Sequence, residues 1–206
     1  MDPVFILASE SPRRKMLLEK LGIPFRVVPS NIHEDYSDNK TPEETVQFIS
    51  YEKAKFVAEN YPKNIVIGTD TIVVLRDEIL GKPKDSHDAI KMLTKLSGRS
   101  HTVYTGVSIV RKDPQAFQKF YEKTEVTFFP LSKDTVEFYV NNHHSLDKAG
   151  AYGIQDWSAC FVESIQGCYY NVVGFPLARF FHIINTDNFR KTFGNYNWLG
   201  KEEQSP

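Results

Sequence analysis

The sequence is short of cysteine, of long apolar runs and of net charge, and each shortage removes a class of function. Only Cys160 and Cys168 occur among the 206 residues, too few for a disulfide-stapled secreted scaffold. Gln166-Gly167 reads as a two-residue hairpin turn that sets Ile165 opposite Cys168 and Val173 opposite Cys160, so both thiols are expected to be free and buried. The six histidines show no zinc-ligand spacing. Net charge is −1, which supplies no basic field for nucleic acid, and no basic stripe interleaved with aromatics is present. No apolar run approaches the length of a membrane span and no signal-peptide pattern opens the chain. The expectation is a cytoplasmic protein without nucleic-acid or membrane partners. Internal repeats and low-complexity segments are also lacking.

What is present is an ordinary globular composition, 41% hydrophobic and 25% charged, with length for one domain of two lobes. The most informative stretch is Ser9-Glu10-Ser11-Pro12-Arg13-Arg14. It follows the strand-like run Val4 to Ala8 and precedes a helix closed by Gly22. Ser11 suits the N-cap and Pro12 the first helical position. A helix start favours acidic residues, yet this one holds Arg13, Arg14 and Lys15, with Arg14 where a capping box places Glu. An anion would resolve that conflict, so strand, turn and cationic helix start describe a phosphate site. Solvated cations beside a capped helix are the alternative.

Pro24 to Pro29 resumes as an extended run, and the polar loop after it holds Glu34. Thr41-Pro42-Glu43-Glu44 opens a helix that runs to about Asn60, with Val46, Ile49, Lys53 and Val57 on its inward stripe. Lys53 either snorkels to water or meets an anionic site. Asn64 to Leu75 is the most apolar strand, and Asp70 in its middle shares a face with Val66, Ile72 and Val74. A carboxylate there costs several kcal/mol unless compensated, by a cation or by backbone N–H groups at a bulge beside Gly68. Lys82, between Gly81 and Pro83 after a hairpin near Asp77, is within reach of either Asp70 or a phosphate.

Asp85 caps a helix with Ala89, Met92, Leu93 and Leu96 inward, and Gly98 ends it. His101 to Val110 alternates through Val103, Thr105, Val107 and Ile109, with Phe117 to Phe129 as its antiparallel partner. Ser132 opens a helix with Val136, Tyr139 and Val140 inward. Asp147 to Gln155 carries two glycines and two alanines, so a flat ligand can approach its backbone and meet the Gln155 amide. Phe161 to Ile165 and Cys168 to Val173 form the hairpin above, and Gly174-Phe175-Pro176 starts a last helix with Leu177, Phe180, Phe181 and Ile184 inward. The domain is expected to span 1–186, followed by a polar tail over 187–206.

From about Phe5 to Ile184 the chain resembles the Maf family of nucleoside triphosphate pyrophosphatases. The motifs are SESPRR at 9–14, EKA at 52–54, GTDTIV at 68–73, GKP at 81–83, SGRSHTVYTG at 97–106, DKAGAYGIQ at 147–155 and NVVGFP at 171–176. Each alone is weak, but all seven occur in the family's order. Glu10 and Ser100 stand where other residues are common. The resemblance implies an α/β fold, an elongated mixed β-sheet flanked by helices, two lobes with a central cleft (Maf/ITPase-like). It implies hydrolysis of a nucleoside triphosphate to monophosphate and pyrophosphate with a divalent cation, Mg2+ or Mn2+, in a homodimer. Arg13, Thr71 and Gln155 match the subgroup acting on dTTP and UTP rather than the one acting on 7-methyl-GTP. Asp70 is then the expected general base and a metal ligand, with Glu34 the second carboxylate. Ser9, Ser11, Arg13, Arg14, Lys53 and Lys82 are expected to hold the triphosphate, and Thr71 and Gln155 the nucleoside. A nucleotide-binding regulator of septum formation without turnover is the alternative.

Overall fold

The computed structural model describes residues 4–34, 36 and 40–194. The chain opens with a strand–helix–strand unit: β1 (Phe5–Leu7), α1 (Pro12–Glu19) and β2 (Phe25–Val27). The long helix α2 (Pro42–Asn60) follows, started by a complete capping box between Thr41 and Glu44. It leads into β3 (Ile65–Leu75), which is buried along nearly its whole length, and a tight turn at Arg76-Asp77 leads to β4 (Glu78–Leu80). Next come α3 (Ser86–Leu96), the long hairpin β5 (Ser100–Arg111) and β6 (Ala116–Phe128), and α4 (Lys133–Asn142). Two short 3-10 turns, Ala149–Ala151 and Trp157–Phe161, precede β7 (Val162–Gln166), α5 (Tyr169–Val173), α6 (Leu177–Ile184) and α7 (Asp187–Phe193).

The described strands form one mixed seven-stranded sheet of order β2-β1-β3-β5-β6-β7, with β4 also on β3. β1 is parallel to β2 and β3, and the other pairings are antiparallel. One edge of β3 is shared: β1 takes Ile65 to Ile67 and β4 takes Val73 to Leu75. Residues 68–72 have no described strand on that edge, and the interruption separates a lobe of β1, β2 and α1 from a lobe of β4, α3, α4 and the 3-10 turns. Asp70 and Thr71 lie in the interruption.

α2 lies across the opposite face of β3 and β5 at unusually short range. A Cβ at Gly68 would sit 2.1 Å from the Ser50 carbonyl oxygen, and one at Gly106 2.2 Å from that of Val46. Gly106 is the register partner of Asp70. These two glycines let α2 settle where its inward stripe of Val46, Ile49, Lys53 and Val57 is buried.

The β3–β5 register runs unbroken from Val66–Val110 to Val74–Thr102, so no bulge beside Gly68 satisfies Asp70. Ser11 occupies the N-cap of α1, but its side chain makes no capping bond. The expected hairpin after Phe161 is replaced: β7 pairs with β6, and Cys168 to Val173 turns away as α5. The fully buried Asn171 decides this, because its amide donates to the Val103 carbonyl and to Thr124 Oγ1, which ties the segment under β5 and β6. Gly174, at φ 116, is the left-handed cap of α5. The cysteines are free, but Cys160 is exposed and Cys168 half-buried, so the expectation of burial fails. Met92 and Phe181 are likewise only half-buried.

The core continues past residue 186, since Phe189 and Phe193 of α7 are fully buried and the Arg111 guanidinium donates to the Thr192 and Phe193 carbonyls. The rest of the 187–206 segment, from 195 on, lies outside the described residues. No described helix is long and apolar enough to cross a membrane.

Candidate active site

All ten residues singled out from the sequence line one cleft of about 370 Å³ at the interruption in the sheet edge: Ser9, Ser11, Arg13, Arg14, Glu34, Lys53, Asp70, Thr71, Lys82 and Gln155. Its floor is an ionic triad. Lys53 Nζ lies 2.7 Å from Asp70 Oδ1 and 2.7 Å from Glu34 Oε1. Lys53 is 5% exposed and Asp70 2%, so the lysine pairs inside the protein rather than snorkelling to water. Its charge meets the desolvation cost of Asp70 through one oxygen only. The other, Oδ2, is buried and has no partner among the described residues.

Glu34 is held from both sides, since Tyr36 donates its hydroxyl to Oε2 at 2.6 Å and Lys82 Nζ stands 3.9 Å away. Burial pushes the Glu34 carboxyl up, but the charge and hydrogen bond of Lys53, the Tyr36 hydroxyl and Lys82 outweigh it and hold it at about 2. Burial and the two nearby carboxylates push the Tyr36 phenol well above its usual range, so it stays a donor.

The two arginines of α1 are not equivalent. Arg14 is committed to the protein: Nε donates to the Gly174 carbonyl, and the terminal nitrogens to Ser9 Oγ and Thr71 Oγ1, each at 3.2 Å. Burial pushes its guanidinium down, opposed by the charges of Asp70 and Glu34. Arg13 reaches across the cleft mouth to Asp147, 2.7 Å away. Lys82 is largely exposed at the rim, as is Gln155. With the N–H groups of the α1 start left free by Ser11, this wall is suited to a polyanion.

A family model described as Maf-like protein matches residues 4–186. The chain belongs to the Maf family. Among curated Maf relatives, a protein of Geobacillus sp. (strain WCH70) named dTTP/UTP pyrophosphatase is 49% identical over 174 residues, 84% of this chain and 92% of its own. One of the same name from Bacillus cytotoxicus is 49% identical over 175 residues, 85% of this chain and 91% of its own. A solved structure described as the Staphylococcus aureus Ham1 protein aligns over 60% of this chain and 71% of its own, with TM-score 0.43 and 15% identity, too distant to carry an inference.

Beside the residues read from the sequence, the Maf cleft recruits others. Tyr36 has no signal in a polar loop. Asp147 heads the small-residue stretch, but its pairing with Arg13 spans 134 residues of chain. Thr105, buried behind the cleft wall against Thr71, left a trace, a hydroxyl among Val103, Val107 and Ile109 on one strand face.

No cluster of three or more His, Cys, Asp or Glu suited to a metal occurs among the described residues. Two carboxylates, one with an unpartnered buried oxygen, fit a cation that takes its remaining ligands from phosphate and water, as Mg2+ does.

Proposed function

We propose that this Maf protein hydrolyses dTTP and UTP to the nucleoside monophosphate and pyrophosphate, clearing these or modified pyrimidine nucleotides from the cellular pool. The observation that carries the reading is Asp70: a carboxylate on the floor of a cationic cleft, with one oxygen paired to Lys53 and the other unpartnered. The names of relatives 49% identical over most of the chain supply the substrate class.

In this mechanism the triphosphate lies along the wall formed by the α1 start, Arg13, Arg14 and Lys82. The Asp70 carboxylate accepts a proton from a water as that water attacks the α-phosphorus, and pyrophosphate leaves. Lys53 keeps Asp70 ionised and oriented, and the arginines and Lys82 offset the charge developing on the phosphate oxygens. Asp70 and Glu34 would hold a divalent cation, whose charge would lie against the phosphate oxygens. Thr71 and Gln155 face the nucleoside. A cytoplasmic location, where free nucleotides reside, and a homodimer belong to the same reading.

Pyrophosphate release from a panel of nucleoside triphosphates with Mg2+ or Mn2+ tests it. The expected result is efficient release from dTTP and UTP and poor release from CTP and purine nucleotides. Tight binding of dTTP without pyrophosphate would favour a regulator of cell division that uses the same cleft without turnover. Equal turnover of GTP and dTTP would remove the pyrimidine preference.

A further inference from the structure

Three hydroxyl and carbonyl groups behind the cleft wall form a chain whose direction follows from proton counting. Thr105 Oγ1 lies 3.0 Å from the Asn171 carbonyl oxygen and 3.0 Å from Thr71 Oγ1. A carbonyl can only accept, and a threonine hydroxyl has a single proton. Thr105 therefore donates to Asn171 and has none left for Thr71, so the Thr71 proton must go to Thr105. On its other side Thr71 Oγ1 accepts from Arg14, 3.2 Å away. Both ends of the chain are rigid: Asn171 and Thr105 are 0% exposed, and Arg14 is pinned by three bonds. Thr71 itself lines the cleft and is half-buried. Toward a ligand it can offer one lone pair and no proton.

We infer that Thr105 is a positioning residue for specificity: it fixes the Thr71 hydroxyl as a one-way acceptor, so that the cleft selects a ligand with a hydrogen-bond donor at that point. Beyond Thr71 the lining turns apolar: Val172 is half-buried there, and the register partners Val73 and Val103 are buried behind it, surroundings that suit a flat ring rather than a phosphate. This deepens the pyrimidine nucleotide reading and rests on it. dTTP and UTP differ at C5 of the base and C2′ of the sugar but share an imide N3–H. Cytosine presents a bare acceptor nitrogen at the same place. A one-way acceptor admits the first and leaves two lone pairs opposed in the second. The Gln155 amide can turn to suit either base and cannot supply this polarity alone.

The test compares kcat/KM for UTP, CTP, N3-methyl-UTP and 3′-deoxy-UTP in the unmodified protein, Thr105→Val and Thr105→Ser. The unmodified protein should favour UTP over CTP and over N3-methyl-UTP at least tenfold. Thr105→Val releases the Thr71 proton to turn toward cytosine N3, and should narrow the UTP-to-CTP ratio at least fivefold. Thr105→Ser should keep the ratio within twofold. A role confined to packing would lower both substrates together, and an unchanged ratio in Thr105→Val overturns the inference. So does a loss confined to 3′-deoxy-UTP in the unmodified protein, which would assign the donor to the sugar. Calorimetric binding of UMP and CMP to the unmodified protein reads the same polarity without turnover and without a variant. UMP should bind at least tenfold tighter, and equal binding overturns the inference even where Thr105→Val fails to fold. Absence of turnover with every nucleotide, together with preferential UMP binding, would instead overturn the pyrophosphatase reading and leave this one standing.

Discussion

Two buried lysines in this molecule are each flanked by two carboxylates, and they serve different ends. Lys53 sits on the floor of the cleft with Asp70 and Glu34 at 2.7 Å. Lys148, at the cleft's other end, meets Asp147 at 2.8 Å and Asp156 at 3.5 Å and also donates to the His144 carbonyl. The lysine side chains are almost equally hidden, 6% and 8% exposed. Their partners are not: Asp147 is 52% and Asp156 34% exposed, whereas Asp70 is 2%. The Lys148 carboxylates are free to hydrate, so that cluster ties a loop together at little cost. Asp70 is paired through Oδ1 with Lys53, with the Arg14 charge nearby, and Oδ2 has no hydrogen-bond partner among the described residues. A buried ion pair by itself does not mark chemistry. The pair that does so here combines full desolvation with a buried acceptor oxygen that has no partner among the described residues, on a residue that lines the cleft.

The largest effect should come from that unspent acceptor. Asp70→Asn keeps the shape and removes the charge and the basicity. Turnover should fall by about a thousandfold or more, at the upper end of what a positioned proton acceptor supplies, while the folded state persists in circular dichroism. Near-normal kcat in a folded variant would put Asp70 on a level with Asp156.

Exchanging each lysine for methionine sharpens the contrast. Lys53→Met strands Asp70 in an apolar strand and should cost about 3–5 kcal/mol in urea unfolding, with loss of activity. Lys148→Met leaves two hydratable carboxylates and should cost roughly 1 kcal/mol or less, as for partly exposed pairs. Equal losses would mean that burial of the lysine, not of its partner, sets the cost.

A smaller effect separates both clusters from a buried group with no charged partner among the described residues. His101 is 3% exposed and its ring nitrogen shares a hydrogen bond with the Tyr152 hydroxyl. Burial pushes it down from 6.5 to about 4. The unfolded chain therefore takes up this proton first on acidification. Stability is full above about pH 6.5, falls at about 1.4 kcal/mol per pH unit below it, and levels off near pH 4, so about 2 kcal/mol is gone at pH 5. Glu34, held at about 2 against 4.5, contributes stability that is present above pH 4.5 and lost as pH falls toward 2. Urea midpoints measured from pH 7 to 4 should show the first window, and His101→Phe should flatten it.

The cleft was legible in the sequence to the extent that charge conflicted with local context. Asp70 stood out as a lone acid in an apolar strand, Lys53 as a cation on an inward helix stripe, and Arg13 and Arg14 as cations at a helix start. Each conflict is local, and each of these residues is in the cleft. What escaped reading depends on contacts between distant segments. Tyr36 and Asp147 acquire their partners only when loops are placed. The mistaken hairpin after Phe161 has the same origin. Gly167 and the β-branched Val172 and Val173 suit a hairpin locally, and only the burial of Asn171 against Val103 and Thr124 makes that segment a helix. The depth of α2 against the sheet was hidden too, because nothing near Gly68 or Gly106 in the chain announces that a helix carbonyl will lie where a side chain would be.

The proposed hydrolysis requires a water to attack the α-phosphorus beside Asp70, and the position of the incoming oxygen tests this most directly. A single turnover of UTP in 18O-enriched water, followed by mass spectrometry of both products, should place the label in UMP and leave the pyrophosphate unlabelled. Label in the pyrophosphate, or release of inorganic phosphate in its place, would contradict it.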